Sequence, residues 1–200
     1  DTAQVFIGRR NVEQGGRITE YKHATYRIVL GLKGNITDDL QYDISGQHSR
    51  TDYAQAYLND WSKQRVQNAL LVDSSGKCEI YASDKACVPL DIFHGFGAIT
   101  PAMQTYVGNH LQEAGYTEEN VLSASIGGAT GIRMPSSNEP VSFSVGAEYR
   151  DDYLYDLTSI ANQQGDGYGA GGKSLGMPKS GFSVREFFGE LRLPIIENAY

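Results

Sequence analysis

The sequence predicts an all-β fold: an antiparallel, up-and-down transmembrane β-barrel segment of about six strands belonging to a larger barrel. Three observations predict it. Apolar and polar residues alternate over stretches of about ten residues. Short turns and long loops follow one another between these stretches, as in membrane barrels. Tyrosine dominates the aromatic residues, with 13 Tyr, 7 Phe and 1 Trp among 200 residues.

The alternation is clearest at 141–150, where Val141, Phe143 and Val145 oppose Ser142 and Ser144. A length of roughly 9–11 residues suits a tilted strand that crosses a bilayer. Strands of soluble proteins are shorter, at about 5–6 residues. We therefore expect membrane-crossing strands at 24–33, 40–49, 120–128, 141–150 and 187–195, with a weaker sixth candidate at 2–10.

The connections between the strands alternate in length. Tight turns are expected at 34–39 and 133–140, and long loops at 11–23, 59–119 and 159–181. A structureless loop as long as 59–119 is uncommon inside a compact soluble domain. Within it, Thr100 is a plausible N-cap and Pro101 suits the first helical position, which predicts a short helix over 100–111. The stretch 61–72 fits either a strand or a helix.

Charge and composition exclude several classes. The net charge is −7 and the basic residues are scattered, so no nucleic-acid partner is expected. No apolar run reaches the roughly 20 residues of a transmembrane helix. No signal peptide begins the sequence, which indicates a mature, cytosolic or truncated chain. Six strands are fewer than the roughly eight of the smallest closed membrane barrels, so we expect a fragment.

The two cysteines, Cys78 and Cys87, lie close together in a polar segment. Such a pair predicts a disulfide formed in an oxidising compartment, and the alternative is two unrelated thiols in a reducing cytosol.

Charged residues on the polar faces of the strands are predicted to point into the barrel lumen. A Lys or Arg facing lipid near the midplane would cost about 2–4 kcal/mol. Ion pairing within the wall is favoured over direct contact with a substrate. The lumen-facing candidates are Arg27, Asp43, Glu148, Arg150, Glu190 and Arg192. Three tyrosines near strand ends on the apolar faces are predicted to form an aromatic girdle: Tyr26, Tyr42 and Tyr149.

Residues 167–174 match the phosphate-binding pattern G-x-x-x-x-G-K-[ST]. That chemistry needs a buried strand before the loop and a helix after it. The preceding residues are polar, and Pro178 follows closely, so a Gly-rich extracellular loop is favoured. A nucleotide-binding enzyme stays as an alternative. No G-x-S-x-G motif is present and the four histidines are widely spaced, so we expect neither an enzyme nor a metal or cofactor.

Several segments together resemble the barrels of large TonB-dependent receptors. They are residues 9–17 (RRNVEQGGR), 26–34 (YRIVLGLKG), 88–93 (VPLDIF) after the paired cysteines, 145–150 (VGAEYR) and 187–195 (FFGELRLPI). The resemblance implies a place in the bacterial outer membrane and import of a scarce nutrient, such as an iron–siderophore complex, a vitamin or an oligosaccharide. Energy would come from TonB acting on an N-terminal plug.

Residues 1–200 contain neither a plug domain nor a TonB box, so they are expected to be a partial barrel that performs no chemistry. Its expected partners are outer-membrane lipid, the plug, the remaining barrel strands and the nutrient, with substrate capture on loops 59–119 and 159–181. The alternative is a soluble secreted β-sandwich that binds glycans or proteins. It predicts shorter strands and an apolar face packed against a second sheet.

Overall fold

The computed structural model of the chain describes residues 7–169 and 172–195. Five antiparallel strands form one sheet in them, in the order β1-β2-β3-β4-β5, so each strand pairs with its neighbours in sequence. The antiparallel, up-and-down all-β prediction is confirmed. The strands are β1 (Ile18–Asn35), β2 (Leu40–Trp61), β3 (Gly108–Arg133), β4 (Pro140–Thr158) and β5 (Met177–Arg192).

The described residues contain five strands and not six. The sixth candidate at 2–10 lies mostly outside the described residues, and its described part, 7–10, is irregular. The two tight turns are confirmed, since 36–39 joins β1 to β2 and 134–139 joins β3 to β4.

The strands are longer than predicted, from 16 residues in β5 to 26 in β3. Strand pairing therefore continues into segments predicted as loops, and the longest loop covers 62–107 rather than 59–119. The loops predicted at 11–23 and 159–181 are likewise shorter than predicted, because β1 begins at Ile18 and β5 begins at Met177. β5 ends at Arg192 and not at 195. A backbone ladder does not require an apolar face, so it persists where the alternation of side chains fades.

Three short α-helices and one 3₁₀ turn lie between the strands. Helix α1 (Lys63–Leu70) follows Ser62, whose Oγ accepts a hydrogen bond from the Arg65 N–H at 3.0 Å, so the undecided stretch 61–72 is mainly helical. Helix α2 (Pro101–Val107) begins after Thr100 as predicted and ends earlier, because β3 starts at Gly108. The remaining two are the 3₁₀ turn Glu79–Ala82 and α3 (Ile160–Gln164).

The chain divides into two compact units, and the strands run from one into the other. The first, called the helical unit, comprises the described parts of Asp1–Lys22, Tyr53–Gly115 and Asp156–Met177. Its core is built by residues of α1, α2 and the loop between them: Val66, Ala69, Cys78, Cys87, Leu90, Ile99, Tyr106 and Val107.

The second, called the sheet unit, comprises the described parts of His23–Asp52, Tyr116–Tyr155 and Pro178–Tyr200. It consists of strand segments and their tight turns. Among its described residues, Val141 is the one buried hydrophobic side chain. Strands β1 and β5 form the two edges of the sheet, and nearly all of their side chains are exposed. The sheet unit therefore has no enclosed core of its own within the described residues.

Candidate functional site

One face of the sheet unit carries exposed apolar side chains on all five strands. Contacts between neighbouring strands identify this face: Tyr26 contacts His48, Arg50 lies over Tyr116, Tyr116 packs on Tyr155, and Arg185 lies over Tyr149. Alternate residues of a strand share a face. The exposed apolar residues on it, called the apolar face, are Ile28, Leu30, Leu32, Ile44, Leu122, Val145, Phe187 and Leu191.

The apolar face is far more exposed than an ordinary protein interior. Leu30 is 75% exposed, Leu32 71% and Phe187 85%. Soluble monomers rarely expose continuous apolar patches larger than a few hundred Å². Larger exposed patches mark surfaces that contact another protein, a ligand or a membrane.

The apolar face ends at a row of polar aromatic and amide side chains. The Tyr26 hydroxyl is 3.2 Å from His48 Nε2, and His48 Nδ1 is 2.7 Å from Asn120 Oδ1. On the other side of this row the same face is charged. There the Arg50 guanidinium carbon lies 3.7 Å from the centre of the Tyr116 ring, and Arg50 Nη2 is 2.7 Å from Asp52 Oδ1. One face of the sheet thus changes from apolar to charged across a single row of side chains.

The three tyrosines predicted as a girdle all project to the apolar face. Tyr26 and Tyr149 lie near its polar end, and the Tyr149 hydroxyl donates to Asp151 Oδ1 at 2.8 Å. Tyr42 lies near the opposite end, where a Cβ added at Gly34 would be 3.1 Å from the Tyr42 hydroxyl. The ring of Tyr42 therefore covers the bare backbone of Gly34.

The six charged residues predicted to face a lumen all project to the opposite, polar face. Arg27 Nε donates to Gln47 Oε1 at 2.8 Å, and Gln47 Nε2 donates to Glu119 Oε1 at 2.6 Å, which links β1, β2 and β3. Arg192 Nη2 is 2.7 Å from Glu139 Oε2, and Arg150 Nε is 3.2 Å from Asp152 Oδ2. The side chains of Asp43, Glu148 and Glu190 share this face with them.

The helical unit contains a polar pocket of about 410 Å³. Alternate residues of three strands line it: Thr19 and Tyr21 of β1, Gln55 and Tyr57 of β2, and Leu111 and Glu113 of β3. Asn162 of α3, together with Gly172, Lys173 and Ser174 of the loop before β5, closes it. That loop is held in place because the Ser174 N–H donates to the Asn162 carbonyl at 3.1 Å and Thr158 Oγ1 donates to the Ser174 carbonyl at 2.9 Å.

A carboxyl pair lies beside this pocket. Burial and the nearby Asp156 carboxylate raise the pKa of Glu113, so Glu113 binds a proton more readily than a free glutamate. The Tyr53 hydroxyl donates to Asp156 Oδ1 at 2.8 Å, and burial together with this contact raises the pKa of Tyr53 to about 12. Tyr53 therefore stays a hydrogen-bond donor throughout the physiological pH range.

A disulfide joins Cys78 to Cys87 in the core of the helical unit, with the two Cα atoms 6.2 Å apart. A long-range contact, which sequence reasoning missed, holds the segment before β1 in place. Arg9 binds both carboxylate oxygens of Glu13, at 2.6 and 3.0 Å, and Glu13 accepts the Gly97 N–H at 2.9 Å. These contacts, the Arg9 hydrogen bond first, lower the pKa of Glu13 to about 2.

The Gly-rich segment 167–174 lacks the surroundings of a phosphate-binding loop. Helix α3 precedes it, and β5 follows it, in the described part of the chain. The Gly169 N–H donates to both oxygens of the buried Asp60 carboxylate at 2.9 Å, so this amide is already bound to an anionic group of the protein. Asp166 accepts hydrogen bonds from Ser62 Oγ and the Gln64 N–H. The Gly169 N–H, which a nucleotide phosphate would need as a free donor, is thus already bound to a carboxylate.

Two features thus have the geometry of functional surfaces: the apolar face with its polar border, and the pocket of the helical unit. Sequence alternation predicted the first. It missed the pocket, because most of the lining residues lie in stretches predicted as loops. No helix among the described residues is long and apolar enough to cross a membrane. No protein-family model, curated protein or solved structure matches this chain.

Proposed function

We propose that this chain is part of the wall of an outer-membrane β-barrel, in a TonB-dependent receptor that imports a scarce nutrient into a bacterium. The observation that carries the proposal is the exposed apolar face of the sheet unit. Lipid tails would cover that face, and the charged polar face would line a water-filled lumen. Successive side chains of a strand would then face lipid and lumen in turn.

The dimensions of the apolar face support a bilayer as its environment. From Tyr26 to the end of β1 at Asn35 the strand has about ten residues, within the roughly 9–11 that span a bilayer. The amphipathic residues Tyr26, His48 and Tyr149 lie at one end of this stretch, where a headgroup region would begin. The charged cluster around Arg50 would then lie in water.

The two edges of the sheet support a larger barrel. An unpaired backbone N–H or C=O in lipid costs several kcal/mol, so membrane sheets close on themselves. Strands β1 and β5 each have one unpaired side within the described residues. Further strands of the same polypeptide would pair with them, and a plug inside the lumen would meet the polar face and couple to TonB.

Spin labels on adjacent residues of one strand test this proposal. Single nitroxides are attached at Val145→Cys and Ser144→Cys in the full-length protein, which is held in lipid vesicles. We expect the label at 145 to collide with oxygen, which dissolves in lipid, and the label at 144 to collide with a water-soluble nickel chelate. The pair is matched, because the two positions differ only in the face to which they point.

The same measurement addresses the alternative of a soluble β-sandwich that binds glycans or proteins. A sandwich needs a second sheet over the apolar face, whereas all strands in 7–169 and 172–195 belong to one sheet. If the label at 145 is shielded from both oxygen and nickel, that position is buried in protein. The membrane proposal is then wrong and the sandwich is favoured.

A further inference from the structure

We propose that the pocket of the helical unit binds a neutral sugar unit of an oligosaccharide. This inference rests on the proposed function, because it names the substrate class of the receptor. The pocket has a volume of about 410 Å³, which lies within the roughly 300–1,000 Å³ typical of small-molecule sites. The pocket thus has room for a small ligand, and the identity of that ligand follows from its lining.

The lining combines aromatic rings with groups that both donate and accept hydrogen bonds. A sugar has C–H faces that pack on aromatic rings and hydroxyls that act as donor and acceptor together. Tyr21 and Tyr57 supply rings with polar hydroxyls. Gln55 and Asn162 supply carboxamides, and Thr19 supplies a hydroxyl, all of which match both roles of a sugar hydroxyl.

Some of these side chains have hydrogen-bond donors and acceptors that are available to a ligand. The side chains of Thr19, Gln55 and Tyr57 form no hydrogen bond with any other residue that the structure describes. Asn162, by contrast, is held by the Gln112 carbonyl at 2.9 Å through its Nδ2, which leaves its side-chain oxygen as an acceptor. A ligand with several hydroxyls would satisfy these groups, whereas an apolar ligand would leave them unpaired at a cost.

The charge of the lining argues against an anionic iron chelate. The lining contains one basic side chain, Lys173, and one acidic side chain, Glu113, and their formal charges cancel. The chain as a whole carries −7. Anionic ligands are commonly held by several Arg or Lys side chains in a field of positive potential. A neutral polyhydroxylated ligand fits this balance better than a charged one.

Calorimetry on the full-length receptor, purified in detergent from outer membranes, tests the inference. The probes are maltohexaose, cellohexaose and xylohexaose, with ferric citrate as an anionic comparison. We expect at least one hexasaccharide to bind. Tyr57→Ala and Gln55→Ala should each weaken its binding by about tenfold, since each removes a ligand contact. Thr19→Trp should abolish binding by filling the pocket.

Gln112→Ala is the matched control, because Gln112 lies next to Glu113 on the opposite face of β3 and its side chain is exposed. We expect it to bind the hexasaccharide as the unaltered receptor does. Thr19→Trp leaves the other lining groups in place, so it tests the pocket even if Tyr57→Ala fails to fold.

Two results overturn the inference: none of the hexasaccharides binds, or their binding is unchanged in Thr19→Trp. Neither result touches the proposed function, which is decided separately by the spin labels at 144 and 145. Conversely, the spin labels could show a soluble protein whose hexasaccharide binding is lost in Thr19→Trp. In that case the pocket assignment stands and the receptor proposal is rejected.

Discussion

The carboxylate of Glu13 connects the segment before β1 to the loop that contains Gly97. Its pKa of about 2 lies below the usual 4.5, so its ionised form is stabilised in the folded protein. Such a lowered pKa contributes stability that is present above about pH 4.5 and is lost as the pH falls towards 2. The contact is therefore intact at neutral pH and fails in acid.

Removing the Arg9 guanidinium tests this contact. We expect Arg9→Ala to destabilise the helical unit at pH 7 by about 1.5–3 kcal/mol, the usual range for a hydrogen bond to a charged group. The difference from the unaltered protein should vanish near pH 2. Urea unfolding followed by the fluorescence of Trp61, the only Trp of the chain, measures both. Arg10→Ala, at an exposed neighbour, is the control, and an equal loss from both variants would contradict the assignment.

Val145 gives a second prediction at the scale of one residue. If it faces lipid, Val145→Lys places a charge in the hydrocarbon and should reduce folding stability in vesicles by about 2–4 kcal/mol. Ser144→Lys, on the polar face, should change stability far less. Urea unfolding in lipid vesicles, followed by the mobility shift of folded barrels in gels, measures the difference. Equal effects at the two positions would contradict a lipid-facing side.

Among the elements, the loop of the helical unit depends on its disulfide. Cys78 and Cys87 are 1% and 4% exposed, and their bond links the start of the 3₁₀ turn to the segment that follows this turn. Closing a short loop of this kind contributes about 2–3 kcal/mol. We expect reduction to speed trypsin cleavage at Lys77 and Lys85. The double variant Cys78→Ala with Cys87→Ala should be cleaved equally fast with and without reductant. Slow cleavage of that variant would show that the loop does not depend on the disulfide.

The strands show how far the sequence can predict this fold. Where one face is apolar, as at Ile28, Leu30 and Leu32, alternation located the strand correctly. From Tyr53 to Trp61 both faces carry polar and aromatic side chains, so the period-two signal fades although β2 continues. The pocket residues Gln55, Tyr57 and Glu113 were missed for this reason.

The helices were predicted only where a local signal is strong. Thr100 followed by Pro101 is a recognisable helix start, and the structure has it. Ser62 caps α1 in the same way, yet it stands before a polar run with few apolar residues, which could not be told from a strand. The tie from Arg9 through Glu13 to Gly97 joins positions more than eighty residues apart in the chain, and no local pattern indicates such a contact.

At the scale of the whole molecule, the open sheet determines how the chain behaves alone. Both edges, β1 and β5, and the apolar face are uncovered within the described residues. Unpaired edges and apolar surface drive association in water. We expect the 200-residue chain, refolded without lipid or detergent, to form aggregates or higher oligomers in size-exclusion chromatography with light scattering. A monomer that unfolds cooperatively would contradict the membrane proposal and favour the soluble alternative.

The strands that line the pocket of the helical unit have a consequence for how it recognises a ligand. Most of the lining side chains project from β1, β2 and β3, whose backbones are already fixed by the hydrogen bonds of the ladder. On the strand side of the pocket a ligand therefore orders rotamers and not backbone, and little conformational entropy is lost there. The selectivity for a ligand then depends on which side chains occupy these fixed strand positions. Evolution can change it one side chain at a time without rebuilding the backbone that presents it.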